Sequence, residues 1–332
     1  MENSKVENIF NRFENLKVLI LGDAMVDAYL WGKIERISPE APIPIVTVTN
    51  RENRLGGAGN VSLNIQALGA TPILVSVIGD DARGKDFLKL FKKHKLTSEG
   101  IIIEPGRETT VKNRVISNGQ HIARIDEETV EYISEELEKK VFSSIKKLLE
   151  EQPVDAIVFV DYDKGVITPN LIADVTQLAK EKGILTAADP KNRNFKLYKK
   201  IDLFKPNFNE FRNGTGFPGK KSDLEAILKT AHEYRIKKKL KIFFVTLSEL
   251  GVLISNGADK SYYPANIRYI ADVSGAGDTV ISVASLCLAA GLSPDLIANL
   301  SNIAGGLVCE KVGVVPIDKE RFKAEIAAQN CL

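Results

Sequence analysis

The chain has 332 residues, a length that allows one large α/β domain or two domains of ordinary size. Hydrophobic residues make up 44% and charged residues 27%, which excludes a disordered, collagen-like or disulfide-stabilised chain. The 45 Lys and Arg residues exceed the 43 Asp and Glu residues by two, so no surface for nucleic acid is expected. The apolar runs fall well short of about 20 residues, so no membrane span or membrane partner is predicted either.

The termini and the rare residue types favour a cytoplasmic protein without a protein-held metal. Residues 1–16 are polar and mixed in charge, unlike a signal peptide. The three cysteines are far apart, and the two in apolar runs are predicted to be buried thiols: Cys287, Cys309 and Cys331. The three histidines lack metal-ligand spacing and are interpreted as structural or surface residues: His94, His121 and His232.

Short β-rich runs alternate with helical periods along most of the chain. The predicted strands are 17–22, 71–79, 155–160, 183–188, 201–205 and 241–247. The predicted helices are 58–68, 83–93, 134–151, 170–182 and 222–239, with a further helix that starts at residues 275–277 and continues into the apolar run 280–290. This alternation predicts an α/β fold, a doubly wound and mostly parallel sheet flanked by helices. Ligands of such sheets bind at the carboxyl ends of the strands.

Two segments do not follow this alternation. Residues 33–49 contain three prolines and end in an alternating run, and residues 109–126 resemble a hairpin that turns at Asn118-Gly119. We interpret residues 1–332 as one domain with these two segments inserted as a small β-sheet lid. A two-stranded ribbon cannot bury its apolar alternation alone, so the lids of two chains are expected to pair in a homodimer.

The most informative motif is DVSGAGDT, residues 272–279, which leads into the apolar run. Gly275, Ala276 and Gly277 are small enough for backbone N–H groups at a helix start to converge on an anion. Asp278 then lies in the first helical turn, where a carboxylate can accept a proton from an attacking hydroxyl. A glycine-rich turn with an acidic helix start, without further function, remains the alternative.

Two other glycine patterns are excluded as nucleotide motifs. Residues 79–86 match a phosphate-binding loop except that Asp86 replaces the hydroxyl that would meet Mg²⁺, and the segment carries two further acids. Gly57-x-Gly59 resembles a dinucleotide fingerprint, but Ser62 replaces the third glycine and a charged segment precedes it. A dehydrogenase is therefore not expected.

The N-terminal region contains candidates for binding a polyhydroxylated ligand. Asp23 and Asp27 follow the first predicted strand, and carboxylates there can accept hydroxyl hydrogens. Gly56 and Gly57 can let a substrate approach the backbone, and Asn60 adds an amide. Surface acids and a tight turn before a helix are the alternatives.

The segment KPNFNE, residues 205–210, contains Asn207 and Glu210 in the pattern N-x-x-E. An amide and a carboxylate at this spacing can organise Mg²⁺-bound water near phosphates without binding the metal directly. The spacing alone favours the alternative, a helix N-cap with an acid in its first turn.

Together these segments resemble the ribokinase-like, or PfkB, carbohydrate kinases over about residues 17–316. The glycine pair, N-x-x-E and D-x-S-G-A-G-D occur in the family's order and spacing. The resemblance implies ATP-dependent phosphoryl transfer with Mg²⁺ that enters on the nucleotide, and it leaves a monovalent-cation requirement open. Asp278 resembles the catalytic base, and Gly275 to Gly277 resemble the anion hole. Four positions match sugar contacts: Asp27, Gly56, Gly57 and Asn60.

Two motifs depart from the family pattern. The nucleotide motif T-x-G-x-x-G, whose Thr246 and Gly251 are retained, has Ser248 at its first glycine. DYGKG appears as DYDKG, residues 161–165, with Asp163 at the glycine. Each departure affects local geometry, and neither removes a group that the transfer needs.

Within the family, segments 22–46, 56–70 and 189–192 are most similar to kinases that phosphorylate D-glycero-D-manno-heptose 7-phosphate at the anomeric hydroxyl. We expect the stand-alone form, without the nucleotidyltransferase half that accompanies such kinases in bifunctional ADP-heptose synthesis proteins, acting in lipopolysaccharide-precursor synthesis. The candidate cations for the substrate phosphate are Lys112, Arg114, Arg124 and Lys191. A kinase for another sugar, such as ribose or fructose, and a non-catalytic sugar or nucleotide sensor are the alternatives.

Overall fold

Strands and helices alternate in a computed structural model that describes residues 2–257, 260–266 and 268–329. The strands are β1 (Lys17–Gly22), β2 (Ala24–Ile37), β3 (Pro44–Gly57), β4 (Thr71–Gly79), β5 (Ile101–Glu104), β6 (Val111–Ser117), β7 (Gln120–Glu127), β8 (Ala156–Val160), β9 (Leu185–Asp189), β10 (Leu203–Phe204), β11 (Ile242–Thr246), β12 (Val252–Ser255) and β13 (Lys260–Tyr263). The helices are α1 (Glu2–Phe13), α2 (Ala58–Ala67), α3 (Ala82–Lys93), α4 (Glu135–Glu151), α5 (Pro169–Lys182), α6 (Phe208–Thr215), α7 (Leu224–Lys238), α8 (Ala276–Ala289), α9 (Pro294–Val308) and α10 (Lys319–Ala328). A short 3₁₀ turn covers Ser248–Leu250.

Within the described residues, the larger sheet has the strand order β13-β12-β11-β10-β9-β8-β1-β4-β5. Neighbours pair in parallel from β11 across to β5, whereas β12 and β13 are antiparallel. The predicted doubly wound, mostly parallel sheet is therefore confirmed. The parallel strands end at one edge, and that edge positions the residues described below.

Two apolar layers cover the larger sheet, one on each face. One layer joins it to α1, α2, α3, α8, α9 and α10. The other joins it to α4, α5, α6 and α7. The strands β1 and β8 supply side chains to both layers, which explains why they read as continuous apolar runs.

The helices begin at side chains that accept the free backbone amides of their first turn. Ser134 caps α4, Thr168 caps α5 and Ser293 caps α9, the last two followed by proline at the first helical position. Helices α1, α9 and α10 were not among those predicted, and α6 was expected only in the N-cap alternative for the N-x-x-E motif.

A second sheet has the order β3-β2-β6-β7. Its hairpin turns at Asn118 and Gly119, whose φ values of 51° and 77° match the two-residue turn predicted from the sequence. Strands β2 and β3 pair from Ala24 and Gly57 out to Ile37 and Pro44, so they extend beyond segment 33–49 at both ends. The β2–β3 register shifts between Trp31 and Gly32 and again between Ile34 and Arg36, and the β6–β7 register shifts between Val115 and Ile116.

The remaining sequence features are placed as follows. Cys287 and Cys309 are buried thiols, as predicted, and Cys331 lies outside the described residues. Among residues 2–257, 260–266 and 268–329, the helices are too short or too polar to traverse a bilayer.

Candidate active site

The candidate site lies where the ends of β1, β8, β9, β10 and β11 face the first turns of α2 and α8. Its centre is Asp278, which is 2% exposed. Asn60 donates to Asp278 Oδ2 at 2.8 Å, and the Tyr162 hydroxyl donates to Oδ1 at 2.6 Å. Burial raises the pKa of Asp278 to about 6, against the opposing effect of these two hydrogen bonds.

The start of α8 provides an anion-binding geometry. Gly275 precedes the helix with φ of 80°, a conformation that favours glycine. The next amides lie in the first helical turn, where they have no acceptor within the helix. A Cβ at Gly277 would lie 3.9 Å from Asp189 Oδ2 and 4.0 Å from Lys205 Nζ, so this turn faces a buried ion pair. Lys205 Nζ lies 3.0 Å from Asp189 Oδ1.

Tyr162 was not identified from the sequence as a site residue. It belongs to the DYDKG loop after β8, and its backbone N–H donates to Asp23 Oδ2 at 2.8 Å. The ammonium groups of Lys112 and Lys191 lie 5.0 Å and 5.1 Å from the centre of its ring. The sequence signal was the position of this tyrosine immediately after a strand end. Only the tertiary structure shows its contact with Asp278.

The Asp23 side chain holds the DYDKG loop through hydrogen bonds. Its oxygens accept the backbone amides of Tyr162, Lys164 and Val166 at 2.8 Å, 3.2 Å and 3.0 Å. The carboxylate is 1% exposed, and burial raises its pKa. The observed contacts of Asp23 therefore hold the loop, and they differ from the sugar contacts expected for it.

Asp163, the departure from DYGKG, adopts φ of 56°, the left-handed conformation that the family's glycine provides without strain. Its N–H donates to the buried Asp161 carboxylate at 2.9 Å, and Asn194 donates to the same carboxylate at 2.9 Å. Burial, together with the nearby Asp23, raises the pKa of Asp161 to about 7. Aspartate tolerates left-handed φ better than most residues, so the turn is retained.

The glycine pair makes room for a carboxylate. A Cβ at Gly56 would lie 2.2 Å from Asp27 Oδ2, and Gly57 has φ of 55° where β3 turns into α2. Asp27 is 2% exposed and forms an ion pair with the buried Arg114. A side chain at position 56 would therefore collide with Asp27, which explains the glycine at this position.

The four candidate cations have different environments. Arg114 is bound to Asp27 and lies over the Tyr29 ring, and Arg124 is exposed on β7 and pairs with Asp126. Lys112 and Lys191 reach the centre of the site beside Tyr162. Burial lowers the pKa of Lys112. Burial acts in the same direction on Lys191, but Asp189 and Glu210 raise its pKa above the ordinary value.

The N-x-x-E motif forms a capping box at the start of α6. Asn207 Oδ1 accepts the Glu210 N–H at 2.9 Å, and Glu210 Oε2 accepts the Asn207 N–H at 2.8 Å. The other carboxylate oxygen of Glu210 binds Lys191, and burial raises the pKa of Glu210 despite that contact. The N-cap interpretation is thus what the structure displays, and the motif also contacts a cation of the site.

The expected nucleotide residues lie beside this motif. Asn207 forms a β-bridge with Thr246 at the end of β11. Ser248 adopts φ of 53°, again where the family has glycine, and Gly251 has φ of 94°. A Cβ at Gly251 would lie 2.1 Å from the Tyr263 carbonyl oxygen, so this position requires glycine.

The second sheet contacts the loop that precedes α8. His121 Nε2 on β7 lies 3.2 Å from Asp272 Oδ2, which also accepts the Gly313 N–H at 2.8 Å. Asp272 Oδ1 accepts the Ser274 N–H at 3.0 Å. One side chain of the small sheet therefore touches the loop that leads into the anion-binding turn.

Comparison with known proteins places this geometry in a family. Residues 15–320 match the model of the pfkB family carbohydrate kinases. The chain is 35% identical over 331 residues to Bifunctional protein HldE of Trichlorobacter lovleyi and covers 67% of that protein and 99% of itself. It is 39% identical over 298 residues to HldE of Acidiphilium cryptum, with 89% of this chain and 60% of that protein covered. The chain thus spans about two thirds of the length of these relatives.

Solved structures share the fold at low sequence identity. Phosphofructokinase-2 from Escherichia coli in complex with fructose-6-phosphate superposes with a TM-score of 0.76 at 17% identity, covering 95% of this chain and 98% of that one. Ribokinase from Arabidopsis thaliana complexed with ribose and ATP gives a TM-score of 0.70 at 17% identity, with 94% and 98% covered.

Proposed function

Because the chain belongs to the pfkB family of carbohydrate kinases, and is therefore a phosphotransferase with an alcohol acceptor, we propose that it transfers the γ-phosphoryl group of ATP to the anomeric hydroxyl of D-glycero-D-manno-heptose 7-phosphate. The observation that carries the proposal is the buried Asp278 at the first turn of α8, with two ammonium groups nearby. ATP enters with Mg²⁺ as a substrate complex.

In this proposal Asp278 accepts the proton of the acceptor hydroxyl. A pKa of about 6 keeps the carboxylate ionised at neutral pH while leaving it more basic than an exposed aspartate. The acceptor oxygen forms a bond to the γ-phosphorus as the bond from that phosphorus to the β-phosphate oxygen breaks. The amides of the α8 first turn and the positive end of its dipole stabilise the charge on the transferred group.

The neighbouring groups suit the nucleotide side of the reaction. Lys205 lies near Gly277 and offers a buried ammonium beside the anion-binding turn. Asn207 and Glu210 are assigned to water molecules around the nucleotide-bound Mg²⁺, and Thr246, Ser248 and Gly251 to the nucleoside. The second sheet is assigned as a lid that excludes water on closing.

Lys112 and Lys191 support a phosphorylated acceptor. Their ammonium groups lie 5.0 Å and 5.1 Å from the centre of the Tyr162 ring, and in this proposal both line the acceptor pocket. Each charged hydrogen bond to a phosphate is worth about 1.5–3 kcal/mol, so two are sufficient for a preference of about a hundredfold over a free sugar. Arg114 is paired with Asp27 and Lys191 with Glu210, so Lys112 is the cation that we test.

The test is kcat/KM across D-glycero-D-manno-heptose 7-phosphate, the free heptose, ribose, fructose and fructose 6-phosphate. We expect the heptose phosphate to be the best acceptor. Lys112→Ala should lower its kcat/KM by about tenfold or more and change free-sugar values little. Lys89→Ala, which removes an exposed lysine paired with Asp86, is the matched control.

Other outcomes identify the alternatives. If ribose or fructose is the best acceptor, the substrate assignment fails and a kinase for another sugar remains. If ligands bind but no phosphoryl transfer occurs with any sugar, the sensor interpretation replaces the kinase.

A further inference from the structure

Both oxygens of the Asp278 carboxylate are held by neutral donors. Asn60 binds Oδ2 from α2, where it is fully buried and its own side-chain oxygen accepts Asn64 Nδ2 at 3.3 Å. Tyr162, in the loop after β8, donates to the other oxygen, Oδ1. Without Tyr162, one oxygen of this buried carboxylate would lose the donor that orients it.

Tyr162 is held by further contacts. Its backbone N–H donates to Asp23, and the ammonium groups of Lys112 and Lys191 lie 5.0 Å and 5.1 Å from the centre of its ring. Burial and the nearby Asp278 carboxylate raise the pKa of the phenol well above its ordinary value. The hydroxyl therefore keeps its proton and acts as a donor near neutral pH.

We propose that Tyr162 is a positioning residue that orients the Asp278 carboxylate toward the acceptor hydroxyl and favours its ionised form. Each carboxylate oxygen has two acceptor sites, so an acceptor hydroxyl can bind Asp278 while Tyr162 remains in place. During transfer the hydroxyl proton moves to Asp278, and Tyr162 retains its own proton. The consequence for catalysis rests on the proposed function, whereas the effect on the carboxylate does not.

Other charges around Asp278 set the background on which Tyr162 acts. Asp189 from β9 and Asp27 from β2 raise the pKa of Asp278, as does burial. The positive charge of Lys191, which follows β9, attracts the Asp278 carboxylate and so favours its ionised form. From α2, Asp278 is contacted by the neutral amide of Asn60. Since the remaining groups stay unchanged when the Tyr162 hydroxyl is removed, the pKa of Asp278 should rise in that variant.

The experiment is the pH dependence of kcat/KM for the acceptor sugar in wild type, Tyr162→Phe and Tyr132→Phe. The acid limb of Tyr162→Phe should move to higher pH by about one unit, and its kcat near pH 7 should fall by about tenfold. The KM for ATP should stay within about twofold, because Tyr162 is assigned no nucleotide contact. Tyr132→Phe is the matched control. It removes a hydroxyl whose hydrogen-bond partner is Asn194, at 2.7 Å, and not Asp278. Coincident acid limbs in wild type and Tyr162→Phe would overturn the proposal.

A measurement without turnover separates this inference from the proposed function. The carboxyl ¹³C shift of Asp278, assigned with Asp278→Asn, is titrated in the free proteins. A midpoint higher by about one unit in Tyr162→Phe supports the proposal even if wild type phosphorylates no sugar, and an unchanged midpoint refutes it. If Tyr162→Phe does not fold, difluorotyrosine at position 162 retains the hydroxyl as a stronger donor and should move the midpoint down. An unchanged midpoint in the difluorotyrosine variant also refutes the proposal.

Discussion

The side chains of Asn60 and Asp278 meet at 2.8 Å although 218 positions separate them in the sequence. The contact joins the first turns of α2 and α8, and a second one, from Thr279 Oγ1 to Asn64 Oδ1 at 3.0 Å, lies one residue further along α8. The two helix starts that frame the candidate site are thus bound to each other through buried amides.

Asp278→Asn should lower turnover by two to four orders of magnitude, the usual contribution of a positioned general base. The amide introduced at position 278 has the shape of the carboxylate, and its oxygen can face Asn60 while its nitrogen faces the Tyr162 hydroxyl. The affinities for ATP and sugar should therefore change little. Turnover by steady-state kinetics and affinities by calorimetry check this. Turnover like that of wild type would remove Asp278 from the reaction.

The same variant should be more stable than wild type above pH 6. The folded-state pKa of about 6 exceeds the ordinary 3.8, so the folded state binds the Asp278 proton more tightly than the unfolded state. This stabilisation is full below the unfolded pKa and is lost as pH rises through 6. Urea unfolding should show the advantage of Asp278→Asn growing by about 1 kcal/mol from pH 5 to pH 8. Asp174→Asn, an exposed control on α5, should show no such growth.

Glu210→Gln should raise the Mg²⁺ concentration needed for half-maximal activity while leaving sugar affinity nearly unchanged. Glutamine can still accept the Asn207 N–H, so α6 keeps its cap, but the charge beside Lys191 is lost. Asp318→Asn, a similar change at the remote cap of α10, is the control. A shift in sugar affinity alone, or activity that survives exhaustive Mg²⁺ removal, contradicts the assignment.

Ser248→Gly should raise the free energy of unfolding by about 0.5–1 kcal/mol, because glycine adopts the left-handed conformation without strain. Part of this stabilisation is offset because glycine has more conformational entropy in the unfolded chain. Ser248→Ala keeps the strain and should bring no gain. Denaturant titration distinguishes the two. Equal stabilities of both variants would show that the φ of 53° carries no strain.

The chain should form a two-fold symmetric dimer through its second sheet. Ile37, Ile43, Val48 and Ile125 of that sheet and its connecting loop are exposed, and burial in a partner would remove them from water. Light scattering at micromolar concentration should give twice the chain mass. Ile43→Lys with Ile125→Lys should give the monomer, and Ile236→Lys, on α7, should not change the mass. A monomeric wild type would contradict the prediction.

Strand–helix alternation was enough to predict the parallel sheet, because its buried strands read as short apolar runs. The antiparallel strands β12 and β13 were missed, since each has four residues and lies at the sheet's margin. The start of β2 was missed because Asp27 interrupts its apolar pattern, and only the pairing with Arg114 explains an acid there. Likewise, no local pattern reveals that Asp23 binds a loop more than a hundred residues further along the chain.

The register shifts at Trp31/Gly32 and Val115/Ile116 have a mechanical consequence. Trp31 pairs with Ile116 in an unbroken β2–β6 ladder, and the residues left unpaired by the two shifts, Thr49 of β3 and Ile122 of β7, lie on the strands to either side. Bulges bend and twist a strand locally, so β3 and β7 are expected to curve at this level. Asp27 and Arg114 lie in the regularly paired β2–β6 ladder, before the shifts. Bending of the two outer strands would therefore change the curvature of the sheet without moving the ion pair next to the site.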